Sequence, residues 1–251
     1  MVSIDLNCDL GESFGSYQMG NDSLILPLIT SANIACGFHA GDPSVMRQTV
    51  ESAILHNVGI GAHPGLPDLQ GFGRRELAIS PQEAHDLVVY QIGALQAVAK
   101  SCGTSVGHVK AHGALYNMAV KSAELAEAIV SAVKACDSKL IIVGLAGSAW
   151  VDAAEKFEMR IAQEVFADRR YEEDGSLTPR SRPDALIEDQ QEAVEHVIQM
   201  VRDGMVTTRQ GTSRPIQADT ICIHGDGAHA LDFAQAIRER FLKEGIAIEG
   251  L

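Results

Sequence analysis

The chain has 251 residues, 46% hydrophobic and 21% charged, the make-up of a globular protein large enough to build its core without staples. Its 33 acidic against 20 basic side chains give a formal charge of −13, which argues against nucleic acid or an anionic membrane surface as a partner. The five cysteines are odd in number and lack C-x-x-C spacing, which excludes a disulfide framework and a cysteine-built zinc site and fits a reducing cytoplasm.

Residues Met1 to Asp5 lack a basic region followed by an apolar core, so no signal peptide is expected. A first strand is predicted over Ile4–Leu10, where Ile4, Leu6, Cys8 and Leu10 alternate with Asp5, Asn7 and Asp9. In a barrel the apolar set packs outward on helices and the polar set points inward. Burying Asn7 and Asp9 there costs on the order of several kcal/mol unless they find partners. Glu12 follows in the loop and continues the polar face. A salt-bridged structural carboxylate is the plain alternative for Asp9.

A second strand, Ala32–Gly37, leads into Phe38-His39-Ala40-Gly41-Asp42. Asp42 has an ordinary account as the cap of a helix over Pro43–Asn57. His39 has none and reads as a site residue. The third strand, Gly59–His63, places His63 at the turn into a glycine-rich loop, 64–76, that carries Arg74 and Arg75. Arginine grips carboxylate or phosphate through paired donors, and a solvated loop is the alternative.

After a helix over Pro81–Ser101 comes a fourth strand, Gly107–His112, in which Lys110 and His112 share one face and Val109 and Ala111 the other. A strand lysine buried beside a carboxylate can hold a developing negative charge or, with its pKa lowered, pass a proton. Next come a helix over Ser122–Cys136, a strand Lys139–Leu145, a helix Ser148–Phe157 and a strand Met159–Val165 that contains Glu164. The apolar run near 140–150 is broken by Gly144, Gly147 and Ser148 and is too short to span a bilayer. A long loop, 167–182, carries Asp168 and Arg169 and has the length of a lid or binding loop. A helix over Pro183–Asp203, a strand Thr220–His224 followed by Gly225-Asp226, and a helix over Ala228–Glu244 complete the chain. Asp226 reads either as a helix cap or, next to His224, as a site residue.

Seven strands trailed by helices predict a seven-stranded parallel (β/α) barrel spanning residues 1–251 as a single domain, with an open doubly wound sheet as the competitor. Asp9, His39, His63, His112 and His224 each follow an apolar run, at the strand ends where barrels place their chemistry. They describe one pocket assembled from the whole chain. His56, His85, His108, His196 and His229 read as structural, in helices or off the inner face. A Walker A loop, a G-x-G-x-x-G turn, an H-E-x-x-H helix and a G-x-S-x-G elbow are all missing.

The segments Asp5-Leu6-Asn7-Cys8-Asp9-Leu10-Gly11-Glu12, Ser31 to Pro43 (SANIACGFHAGDP), Gly61-Ala62-His63-Pro64-Gly65, Gly71-Phe72-Gly73-Arg74-Arg75, His108 to Asn117 (HVKAHGALYN), Glu164 to Arg169 with Tyr171, and Ile223-His224-Gly225-Asp226 together resemble the LamB/YcsF family over essentially the whole chain. The resemblance implies a barrel related to glycoside hydrolases and polysaccharide deacetylases. It also implies ATP-dependent hydrolytic opening of 5-oxoproline to glutamate, as the A subunit of a 5-oxoprolinase working with subunits B and C and using ATP as co-substrate.

On the residues' own chemistry, Asp9 or Asp226 would position and deprotonate water, and Lys110 with His112 or His63 would stabilise charge on oxygen. Asn7, Glu12, His39, Arg74, Arg75, Glu164, Asp168, Arg169 and His224 would surround the substrate. One alternative is a metal-dependent deacetylase holding a divalent ion on Asp9, His39 and His63. Another is a non-catalytic substrate-binding or scaffolding subunit. Without a phosphate-cradling loop, the nucleotide is expected on a partner chain.

Overall fold

Alternation in β1 (Ser3–Leu10) sets the architecture. Ile4, Leu6, Cys8 and Leu10 are buried on one side, while Asp5, Asn7 and Asp9 turn to the other. The computed structural model describes residues 2–223 and 230–251. The polar side of β1 faces the inside of a closed ring.

That ring starts with β1, then β2 (Ser31–Ala35), β3 (Gly59–His63), β4 (His108–Lys110), β5 (Ile141–Leu145) and β6 (Ile161–Phe166). A short antiparallel hairpin of β7 (Met205–Thr207) and β8 (Ser213–Pro215) stands apart, and β9 (Thr220–Ile223) returns to the ring. Each barrel strand pairs in parallel with the next, and β9 closes between β6 and β1. The fold is therefore the seven-stranded parallel barrel expected, and closure rules out the open sheet. β10 (Ala247–Ile248) adds outside the ring, pairing Ser3 with Ala247 and Ile4 with Ile248.

Helices α1 (Asp22–Ile25), α2 (Pro43–Leu55), α3 (Pro81–Ser101), α4 (Gly113–Lys121), α5 (Ala123–Cys136), α6 (Ala149–Lys156), α7 (Gln190–Asp203) and α8 (Ala230–Glu244) fill the connections. Local chemistry fixes their starts. Asp42 accepts hydrogen bonds from the amides of Ser44 and Val45 ahead of Pro43, so it is a helix cap. Ser80 and Glu83 form a reciprocal capping box on α3. Among the described residues no helix is long and apolar enough to cross a membrane.

Three differences from the sequence reading have physical causes. The expected strand Gly107–His112 ends at Lys110, because the His112 amide turns to the Pro64 carbonyl and α4 begins at Gly113. The helix expected from Pro183 begins at Gln190. Residues 183–189 are tied instead to the preceding loop, with Ile187 donating to the Asp168 carbonyl, and Asp189 caps the helix at the Glu192 amide. His108, read as off the inner face, has the same parity as Lys110 and points inward, where its Nε2 donates to Asn33 Oδ1 at 2.9 Å.

The interior is polar in tiers. At its base Asp5 accepts from Thr30, Ser31 and Thr220. Above it, Asn7 donates to Thr220 Oγ1 at 2.7 Å and accepts from Asn33 Nδ2 at 2.8 Å. Opposite them Ile141, Val143 and Ala162 form a small apolar wall from β5 and β6. These paired groups offset the cost of burying Asn7, since an unmade buried hydrogen bond costs about 1–3 kcal/mol. The polar tiers lead upward to the carboxyl ends of the strands.

Candidate active site

Lys110 stands at the centre of that upper end, with its side chain 4% exposed. Its Nζ lies 2.7 Å from Glu164 Oε1, 3.0 Å from Asn7 Oδ1, 3.1 Å from Asp9 Oδ1 and 3.1 Å from Cys222 Sγ. β1, β4, β6 and β9 therefore converge on one ammonium. Burial disfavours its charge, but Asp9, Cys222 and Glu164 outweigh burial and hold its pKa well above the ordinary lysine value. Of the two roles open to Lys110 in the sequence, the raised pKa favours holding negative charge over passing a proton.

Asp9 is the counterpart. Burial works against its carboxylate, yet positive charge at the His63 junction and on Lys110 holds the carboxyl well below the usual range. Its Oδ1 accepts from Asn33 Nδ2 at 2.9 Å as well as from Lys110, and Oδ2 lies 3.3 Å from His63 Nε2. Glu164 accepts from the Tyr116 hydroxyl at 2.7 Å, and burial followed by the Glu164 charge keeps that phenol protonated.

Beside this pair lie three histidines. His63 Nδ1 donates to the Lys110 carbonyl at 2.7 Å, and His112 Nε2 donates to the Phe72 carbonyl at 2.7 Å. His63 Nε2 and His112 Nδ1 are 3.0 Å apart. His39 stacks on His112 with ring centres 3.7 Å apart and planes within 2°. Burial, then the neighbouring histidines, press His39 well below the ordinary imidazole pKa, and burial followed by His63 takes His112 down to about 3. The stack needs glycine around it. A Cβ on Gly65 would sit 2.4 Å from His39 Nδ1, and one on Gly73 would sit 2.6 Å from His39 Cβ, with φ +62 at Gly73.

The open mouth is a cleft of about 390 Å³ lined by Asp9, His63, Lys110, His112, Arg74 and Arg169, among others. That volume suits a small-molecule site, which spans roughly 300–1,000 Å³. Arg169 is buried and donates to the Thr178 carbonyl at 2.7 Å, while its Nε has no hydrogen-bond partner among the described residues. Burial, then Arg180, bring its pKa down to about 10, so the guanidinium stays charged. Arg180 lines the same cleft from the 167–182 loop.

Other expected residues lie elsewhere. Arg75 points away from the cleft and forms a short paired contact with Asp68 beside a separate surface cavity. It braces its own loop and is corrected as a substrate contact. Asn7, His39 and Glu164 are buried beneath or behind the mouth, so they position other groups rather than touch a ligand in the cleft. Glu12 lies with them, Oε1 at 3.5 Å from His39 Nε2 and 3.6 Å from His112 Nδ1. Asp168 is not part of the cleft wall; its carbonyl ties the long loop to Ile187. The donors that converge for a metal are Glu12, His39, His63 and His112, all within 4.8 Å of one another, rather than Asp9, His39 and His63. His224 and Asp226 lie outside the described residues. Sequence reasoning passed over Asn33, Tyr116, Arg180 and Cys222; inward parity on β2 and β9 is the signal that marks Asn33 and Cys222.

The sequence model of the LamB/YcsF family matches residues 4–251. A protein of Bordetella pertussis, named as the A subunit of 5-oxoprolinase, is 61% identical over 98% of both chains. The crystal structure of a lactam utilization protein from Thermus thermophilus superposes with a TM-score of 0.94 at 44% identity, covering 99% of this chain and 100% of that one. The catalytic domain of a peptidoglycan N-acetylglucosamine deacetylase from Eubacterium rectale shares the fold alone, with a TM-score of 0.53 at 9% identity over 99% of this chain and 87% of that one.

Proposed function

Because the chain belongs to the LamB/YcsF family, we propose that it is the A subunit of a 5-oxoprolinase and that its barrel mouth binds 5-oxoproline for ATP-dependent ring opening to glutamate. The observation that carries this reading is the Asp9–Lys110 pair at the barrel mouth, Lys110 buried and Asp9 partly exposed, open to a cleft that also presents Arg169. An unstrained lactam resists water, and phosphorylating its oxygen with ATP makes the carbonyl carbon electrophilic. That transfer releases ADP; water then adds to the carbon, the C–N bond breaks as the ring nitrogen takes a proton to become the amino group, and a second water cleaves the resulting γ-glutamyl phosphate to glutamate and inorganic phosphate.

This chain's groups suit the second half. Asp9 is ionised, so it orients water and accepts its proton at the start of the attack. Lys110 has its donors engaged by Asn7, Asp9, Glu164 and Cys222 and therefore acts through charge, stabilising negative charge on the reacting oxygen. Arg169, with Arg74 at the rim, grips the substrate carboxylate or the transferred phosphate. The described residues show no Walker-type phosphate cradle, which favours a partner subunit, of the B or C kind, as the nucleotide's home.

The test is an assay of glutamate release from 5-oxoproline by the chain alone and with its partner subunits, each with and without ATP. Turnover only in the complete mixture with ATP is expected. Equal turnover when this chain is left out would overturn the proposal.

A further inference from the structure

We propose that His63 Nε2, His112 Nδ1 and the Glu12 carboxylate form a binding site for one divalent transition-metal ion. The inference does not depend on the lactam reading and comes from a conflict between two lone pairs. A carbonyl oxygen can only accept, so the nitrogen facing it must carry the ring's hydrogen. His63 Nδ1 faces the Lys110 carbonyl at 2.7 Å, and His112 Nε2 faces the Phe72 carbonyl at 2.7 Å. The neutral rings therefore turn bare lone pairs toward each other from His63 Nε2 and His112 Nδ1, 3.0 Å apart. Asp9 Oδ2, 3.3 Å from His63 Nε2, is a further acceptor. Such a junction is held only by something positive between the acceptors.

The surroundings favour a metal ion over a lone proton. Imidazole ligands typically donate their other N–H to a backbone carbonyl, which fixes tautomer and ring direction, and both rings do so here. Their planes are 88° apart, so one ion can lie in both. Bond lengths of about 2.0–2.2 Å to nitrogen and oxygen give tetrahedral donor separations of about 3.3–3.6 Å. The donors here are 3.0 Å apart between the rings and 3.6 Å apart from His112 Nδ1 to Glu12 Oε1. Two imidazoles and a carboxylate suit zinc, cobalt and similar ions.

His39 belongs to the same cluster by distance but is excluded by its orientation. It lies parallel to His112, with ring centres 3.7 Å apart, so one ion cannot lie in both ring planes. It covers the site and is not a ligand.

The experiment titrates tag-free, metal-stripped protein with Co²⁺ and reads visible absorption and bound metal, without substrate. About one Co²⁺ per chain with a four- or five-coordinate spectrum is expected. His63→Gln and His112→Gln, folded by circular dichroism, should each weaken binding by at least about 100-fold, whereas His39→Phe should retain the full equivalent. Where a variant fails to fold, ¹⁵N-histidine spectra of the unaltered chain with Zn²⁺ should show resonances of His63 Nε2 and His112 Nδ1 shifting. Binding that survives both glutamine variants, or resonances at those nitrogens that do not move, overturns the proposal. So does protein that binds no zinc and keeps a proton shared between the two rings under saturating Zn²⁺.

Discussion

Lys110 and Asp9 illustrate how a charge becomes tolerable inside a barrel. Each is costly alone, and each is stabilised by the other and by the amides of Asn7 and Asn33. Lys110→Met keeps the volume but strands Asp9 and Glu164, so it should lower folding stability by about 3–5 kcal/mol in urea denaturation. A change within experimental error would mean that the carboxylates find other partners. Burial sets a second test. Burial, with Lys110 and His63, holds His108 down to about 3, and burial holds His196 down to about 4, whereas an unfolded imidazole protonates near about 6.5. The folded chain binds fewer protons than the unfolded one across that window, so stability falls as pH drops below about 6.5 and keeps falling toward the folded values. Each group contributes at most about 1.4 kcal/mol per pH unit there. Urea midpoints should decline steadily on acidification from about pH 7 to about pH 4, and a flat profile would contradict the burial of these rings. Much of this residue pattern is legible in the sequence, because alternation in Ile4–Leu10 alone sends Asp5, Asn7 and Asp9 to one side. Arg74 and Arg75 are not separable that way. They are neighbours in a loop with no period, and only the Asp68 contact shows that Arg75 turns away.

At the scale of elements, the strand ends are readable and the loops joining them are not. Gly59–His63 and Pro81–Ser101 have the bounds that sequence predicts, since periodicity and the Ser80–Pro81 start are local signals. α4 is hidden because it opens on a glycine with φ +52, a poor helix start, and is held by the Ala114 amide on the Gly73 carbonyl. That contact is long-range, so no local pattern announces it. The same loop carries a prediction. Gly73→Ala would force a side chain into left-handed backbone and against His39 and His112. Together these effects should lower Tm by roughly 5–20 °C. Gly103→Ala is the control: its φ is +79 but nothing lies within 4 Å, so only the backbone cost applies. Equal shifts in the two variants would show that the histidine stack has slack.

The whole molecule turns a ring of seven strands into a way of gathering distant residues. Asp9 and Lys110 are 101 positions apart, and Lys110 and Cys222 are 112 apart, yet all meet around one nitrogen. Closure brings them together, and although inward parity marks Cys222 as facing the interior, closure is why the partners of Tyr116 and Cys222 escape a strand-by-strand reading. Their roles appear only when opposite walls face each other. Under the proposed function, the lactam is opened at this shared mouth. The most direct test is the rate of glutamate release from 5-oxoproline and ATP by the assembled complex carrying Asp9→Asn, an isosteric change that removes the charge. A fall of about 10²-fold or more is expected with the complex still assembled. Undiminished turnover by that complex would contradict it.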